Sequence, residues 1–143
     1  MTSGLTLDHL DMAILKLLQA DARLSNKEIG ERVHLTGQAV GARVRKLEEA
    51  GVIEGYTIRL NASRVGPAVR AFVTVFLSSG AAHQKFQAYA ASQESIAEVH
   101  RVSGEGCYWM AVTVDDSRQL SELLDGLLPF ANYKVSMSID RIK

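Results

Sequence analysis

The sequence predicts an α+β protein in two parts: an N-terminal helix-turn-helix domain, with or without a wing, and a C-terminal ferredoxin-like domain of order βαββαβ. Three observations predict it. Residues 7–51 hold three runs of helical apolar spacing behind good N-caps, the last two separated by only a few residues. The run NASRVGPA (61–68) breaks every pattern with Asn61, Ser63, Gly66 and Pro67, as a domain boundary does. Beyond it, β-rich and helical runs follow in the order strand, helix, strand, strand, helix, strand. The expected divisions are 1–60 for the helical domain, 61–68 for a linker and 69–143 for the α+β domain.

Composition agrees and excludes several classes. With 143 residues, 47% apolar, the chain is long enough for one ordinary domain or two small ones with real cores. No low-complexity run occurs, and no apolar stretch approaches membrane-spanning length or follows a basic N-terminal region, so a cytoplasmic protein without membrane partners is expected. Cys107 is the one cysteine, so no internal disulfide can form. His9, His34, His83 and His100 are scattered and make no metal-ligand cluster, and no nucleophile stands beside a base; no metal, no cofactor and no catalysis are expected. Sixteen basic residues balance sixteen acidic ones, so any nucleic-acid affinity must come from a local patch.

Residues 1–6 read as a frayed end. Asp8 then caps a first helix, with Asp11 in its first turn and Leu10, Ile14, Leu17 and Leu18 as its buried stripe, ending near Asp21. Ser25 caps a second, short helix, and Glu28 three residues on completes a capping box. Ile29 and Val33 point that helix inward, and Gly30 adds little to the turn pattern. His34 reads as a dipole or turn residue. Thr36 caps the third helix, which closes at Gly51 in the left-handed conformation.

That third helix carries the chemistry. Val40, Val44 and Leu47 form its apolar face, and at about 100° per residue Gln38, Ala42, Arg45 and Glu49 fall on the opposite side. Gly41 and Ala42 lack bulk there, so the backbone can approach a surface closely. Gln38 and Arg45 have bidentate groups suited to base edges, while Arg43 and Lys46 flank them within reach of phosphates, and the caps Ser25 and Thr36 can touch phosphates or orient the helix. An ordinary amphipathic helix with a merely solvated polar side has the same pattern. After Gly51 the alternating run from Val52 to Leu60 reads as a strand, either a wing or a connector.

In the second half the expected elements are a strand over 69–77, a helix over 82–92 carrying Phe86, Tyr89 and Ala90, and a strand over 96–102. The turn Ser103-Gly104-Glu105-Gly106 leads to a strand over 108–114, a helix over 117–128 and a last strand over 133–142. Leu120, Leu123, Leu124, Leu127 and Leu128 belong to the buried side of the second helix. Helices cover one sheet face, with Met110, Val112 and Val114 under them. Trp109, Ala111 and Thr113 lie on the other face, either solvated or, being apolar, covered by a second copy.

Three segments together resemble the Lrp/AsnC, or feast/famine, family of prokaryotic transcriptional regulators: LDxxDxxILxxLxxDARLS (Leu7 to Ser25), VHLTGQAVGARVRKLEEAGVIEGY (Val33 to Tyr56) and HRVSGEG (His100 to Gly106). The likeness covers nearly the whole chain. It implies an N-terminal domain that binds double-stranded DNA through a recognition helix over Leu35 to Ala50. It also implies a C-terminal βαββαβ (RAM-type) domain that forms homodimers and larger assemblies such as octamers, and in many members binds an amino-acid effector between subunits. The effector turn of such members reads G-x-x-D-Y, and its aspartate helps hold the effector's amino group.

Here that turn, within Ser103, Gly104, Glu105, Gly106, Cys107 and Tyr108, has a thiol in place of the aspartate. A thiol cannot supply a carboxylate's charge-assisted hydrogen bonds. An amino-acid site, a site for another small effector, and a plain connection between strands all remain open. Cys107 itself is an inert packing residue or a redox sensor. Two other functions share the likeness. One is an architectural DNA-binding protein without effector; the other is a tetrapyrrole (siroheme-type) decarboxylase subunit, disfavoured by the intact caps and small outer face of the third helix.

Overall fold

In a computed structural model that describes residues 6–66 and 68–143, the chain divides between Arg59 and Leu60 into two units. Residues 1–5, expected to be a frayed end, and Pro67 of the expected linker lie outside the described residues. None of the described helices is long and apolar enough to cross a membrane.

The first unit consists of α1 (His9–Ala20), α2 (Asn26–Val33) and α3 (Gly37–Glu49). All three start where capping chemistry places them. Asp8 and Asp11 form a capping box on α1, Ser25 and Glu28 another on α2, and the Thr36 hydroxyl accepts the Ala39 amide on α3. Ile14, Ile29 and Val40, one from each helix, are fully buried, with Leu17, Leu18, Leu24, Val33, Leu35 and Val44 packed round them. At the end of α3, Gly51 is left-handed (φ 70°), and the Val52 and Ile53 amides both reach back to the Leu47 carbonyl.

Two expectations for this unit need correction. Gly30 matters to the turn after all. His34 ends α2 in the left-handed region (φ 57°), so the chain doubles back and the Leu35 amide donates to the Gly30 carbonyl at 2.9 Å. A Cβ on Gly30 would collide with the Leu35 carbonyl oxygen, which is backbone and cannot rotate away. The run from Val52 to Leu60, expected to be a strand or wing, is irregular. A strand needs a neighbour to take its amides and carbonyls, and among the described residues this segment has no strand partner. Its apolar side chains stand in solvent: Tyr56, Ile58 and Leu60 are 54%, 77% and 61% exposed.

The second unit opens with a four-residue helix, α4 (Ala62–Val65), inside the run expected to be pure linker. The expected βαββαβ order follows: β1 (Val69–Phe76), α5 (Gly80–Ser92), β2 (Ile96–Arg101), β3 (Tyr108–Val114), α6 (Ser117–Asp125) and β4 (Asn132–Met137). The sheet runs β2-β3-β1-β4 with every neighbouring pair antiparallel. Ala71, Val73, Val75, Met110 and Val112 meet Phe86, Leu123 and Leu127 from the helical layer, all at most 4% exposed.

Several boundaries shift for identifiable reasons. Helix α5 begins two residues early because Ser79 caps it and accepts the Ala82 amide. Helix α6 stops at Asp125 and continues as tight turns, so Leu127 is buried while Leu128, expected on the buried side, is 56% exposed. Strand β4 ends at Met137, not at residue 142. Met137 pairs with Ala71 and the Ser138 amide with the Arg70 carbonyl, near the start of β1, and little of that strand is left to pair with.

Candidate nucleic-acid interface

Helix α3 presents the face that its periodicity demands. Gln38, Ala42, Arg45 and Lys46 are all exposed. Among the described residues, Gln38, Arg45 and Lys46 make no side-chain hydrogen bond or ion pair, so their polar ends are available. An amide, a guanidinium and an ammonium along one helix edge, with only an alanine between the first two, can enter a groove that a bulky face could not.

The neighbouring positions are occupied with holding α3 in place. Gly41 faces α2: a Cβ there would sit 2.9 Å from the Asn26 side-chain nitrogen, so its bareness admits α2. Gly37, one turn earlier, lies against the Lys27 backbone in the same way. The Ser25 hydroxyl donates to a Glu28 carboxylate oxygen at 2.8 Å and accepts the Glu28 amide at 3.2 Å. The Ser25 backbone amide, which donates to the same Glu28 carboxylate oxygen at 2.8 Å, and the Ser25 hydroxyl together hold the Glu28 carboxyl below its ordinary range. Tyr56 donates its hydroxyl to Glu48 at 2.7 Å, which ties the segment after α3 back onto that helix.

Arg43 departs most from expectation. Its Nη1 lies 2.8 Å from Asp8 Oδ2 and 2.7 Å from Asp11 Oδ1. The Asp11 side chain is only 6% exposed. The Asp11 amide and the Arg43 guanidinium together hold the Asp8 carboxyl down at about 2, against 3.8 ordinarily. The same two carboxylates push the Arg43 guanidinium up. No local signal links Asp8 and Asp11 to a residue more than thirty positions on, which is why the sequence left Arg43 free to touch phosphate.

In the second unit the turn 103–107 is held tightly. Gly104 and Gly106 both have positive φ, and a Cβ on Gly106 would run into Thr74 of β1. The Cys107 amide donates to the Val75 carbonyl at 2.7 Å, and its thiol is half-buried 3.9 Å from the Leu77 carbonyl. Glu105 forms an ion pair with Lys134 of β4, whose ammonium also lies over the Phe76 ring. Ser103 is exposed. Tyr108 turns away from Cys107 into the helical layer, where its hydroxyl takes an amide hydrogen from Gln87 at 2.8 Å and meets His83 Nδ1 at 3.2 Å. Lys134, Gln87 and His83 are the partners that sequence reasoning missed.

The sheet face away from α5 and α6 is aromatic. Phe72 and Trp109 stack with ring centres 5.3 Å apart, Arg70 lies over Phe72, and His100 tilts onto Trp109. Ala111, expected to be open, is 2% exposed because Phe72 stands directly opposite it and stacks with the adjacent Trp109. No group of three histidine, cysteine or acidic residues able to hold a metal occurs among the described residues.

Comparison with known proteins agrees with both units. Residues 7–48 match the AsnC-type helix-turn-helix domain, and residues 70–143 match the Lrp/AsnC ligand binding domain. The chain is 41% identical over 137 residues to the HTH-type transcriptional regulator LrpB of Bacillus subtilis, covering 96% of this chain and 91% of that protein. It is 38% identical over 123 residues to the leucine-responsive regulatory protein of Salmonella typhimurium, covering 85% of this chain and 75% of that one. A Neisseria meningitidis transcriptional regulator crystallised as a complex with L-Met superimposes with a TM-score of 0.87 at 29% identity, over 96% of this chain and 93% of that one.

Proposed function

The chain belongs to the Lrp/AsnC family of helix-turn-helix transcriptional regulators, and on that premise we propose that α3 is its recognition helix, reading bases with Gln38 and Arg45 while Lys46 neutralises phosphate. The exposed edge of α3, whose three long polar side chains have no partner among the described residues, carries this reading. Ala42 keeps the edge low enough for close approach, and the Thr36 hydroxyl stands at the same end of the helix as Gln38. Gly41 serves the contact between α2 and α3 instead.

A regulator of this kind works as a homodimer or larger assembly in the cytoplasm and catalyses no reaction. Two features support self-association. Phe72 and Trp109 form an aromatic patch on the sheet face away from α5 and α6, and the irregular residues 56–60 expose three apolar side chains and a backbone that makes no hydrogen bond among the described residues. A second copy can cover the first and pair with the second. The two recognition helices then sit about one DNA turn apart, roughly 34 Å, and operators are imperfect palindromes.

An amino-acid-like effector fits the family and the L-Met complex of the Neisseria regulator. The turn itself offers little to an ammonium. Cys107 has no carboxylate, and Glu105 is committed to Lys134. The effector is therefore held mainly by other groups, through its carboxylate or side chain.

Salt-dependent binding of the purified protein to mixed genomic fragments, with and without L-Met or L-Leu, tests the reading. Binding that weakens steeply with salt and enriches particular fragments is expected. Uniform binding without enrichment would replace it with the architectural reading. No binding, together with a visible absorbance band, would replace it with the tetrapyrrole enzyme.

A further inference from the structure

We propose that Arg43 is a positioning residue for DNA reading: it locks the rotation of α3 against the capping box of α1 and makes no phosphate contact of its own. The inference rests on α3 being the recognition helix. Four hydrogen bonds converge on this point. Asp8 Oδ1 accepts the Asp11 amide at 2.8 Å and Asp11 Oδ2 accepts the Asp8 amide at 3.1 Å, closing the capping box. The two remaining carboxylate oxygens both accept from Arg43 Nη1, at 2.8 and 2.7 Å. The carboxylates that begin α1 thus also hold the second turn of α3.

Charge and direction both keep Arg43 off the DNA. Two carboxylates against one guanidinium leave the cluster with a net charge of −1, which repels a phosphate. Arg43 also lies roughly 100–160° round the helix from Gln38, Ala42 and Arg45, at 100° per residue. The nearly buried Asp11 carboxylate needs a cation beside it, because an unpaired charge there is costly. Removing Arg43 therefore frees both helices to shift. A rotation of α3 by roughly 20° moves a side-chain tip about 5 Å from the axis by about 2 Å. That is enough to lose bidentate contact with a base edge, whereas attraction between Lys46 and phosphate tolerates it.

The test compares the full-length protein with Arg43→Met, Arg43→Lys and Asp11→Asn. Each is titrated with a fragment enriched by the unaltered protein and with a random duplex of equal length, over a range of salt, and thermal unfolding reports folding. Arg43→Met is expected to cut the specific-to-random ratio on the order of tenfold while the slope of log affinity against log salt stays the same. Asp11→Asn is the sharper arm. Removing a negative charge near DNA would by charge alone tighten binding, but the clamp requires it to lower the ratio as Arg43→Met does. Arg43→Lys keeps the cation in place should the methionine variant unfold, and is expected to restore the ratio partly with an unchanged slope. A slope reduced by about 1 with the ratio kept would make Arg43 a phosphate contact and overturn the proposal. So would full discrimination by Asp11→Asn. If the unaltered protein itself shows no preference, the recognition-helix reading falls first and the clamp with it.

Discussion

At the scale of single residues, α3 separates exposed side chains without a partner among the described residues, Gln38, Arg45 and Lys46, from Arg43, which is held by Asp8 and Asp11. Arg45→Ala removes a bidentate group at an exposed position and is expected to cost about 1–3 kcal/mol of specific binding and relax the base preference. Lys46→Ala should weaken binding to all sequences alike and lower the salt slope by about 1. Titrating both variants against specific and random duplexes checks this, and identical profiles would contradict it. Gly30→Ala tests the turn. An alanine improves helix propensity by about 1 kcal/mol, but the added methyl meets a carbonyl oxygen of the backbone. Overpacking against a neighbour that cannot move costs about 1–3 kcal/mol, so the melting temperature of the variant is expected to fall. A melting temperature equal to the parent's would show that the turn can relax.

At the scale of elements, the capping boxes give the helical unit a defined response to acid. The Asp8 carboxyl is held at about 2 against an ordinary 3.8, and Glu28 is shifted in the same direction. Groups lowered on folding stabilise the fold above their ordinary value and lose that contribution as pH falls through the folded one. Asp8 therefore contributes fully above about pH 5 and progressively less between about pH 4 and 2, and Glu28 likewise loses its contribution as pH falls below its ordinary value. Melting followed by helical circular dichroism should show that acid loss, and Asp8→Asn should flatten it. Most of the element order was legible because caps and periods are local. Residues 52–60 were not. Their alternation is a strand's, but whether a strand forms depends on a neighbour, and the described residues supply none.

At the scale of the whole molecule, the proposed self-association is expected to depend on the aromatic sheet face. Trp109 stacks on Phe72 across the two central strands, on the face away from α5 and α6. Burying an aromatic pair in an interface is worth much more than leaving it in water. Trp109→Glu puts a charge at that centre and is expected to shift the protein to monomers in sedimentation at micromolar concentration. Its thermal transition should remain cooperative, since the core under α5 and α6 is untouched. Sedimentation identical to the parent's would place the interface elsewhere. Palindromic sites require two recognition helices at fixed separation, so the same variant should also lose affinity for enriched fragments more than Lys46→Ala does.

The sequence alone determined the helix starts at Asp8, Ser25 and Thr36, the left-handed close at Gly51, the βαββαβ order and the two faces of β3. Each depends on residues within a few positions of one another, where caps, turn geometry and side-chain period act directly. Tertiary structure decided the rest. It placed Arg43 against Asp8 and Asp11, Gly41 against Asn26, Gly30 under the Leu35 carbonyl, Glu105 on Lys134 and Tyr108 among His83 and Gln87. Most of these pairings join residues from separate elements. A charge or a bare Cα does not declare from sequence which neighbour it will meet, because the meeting is set by how whole helices and strands pack.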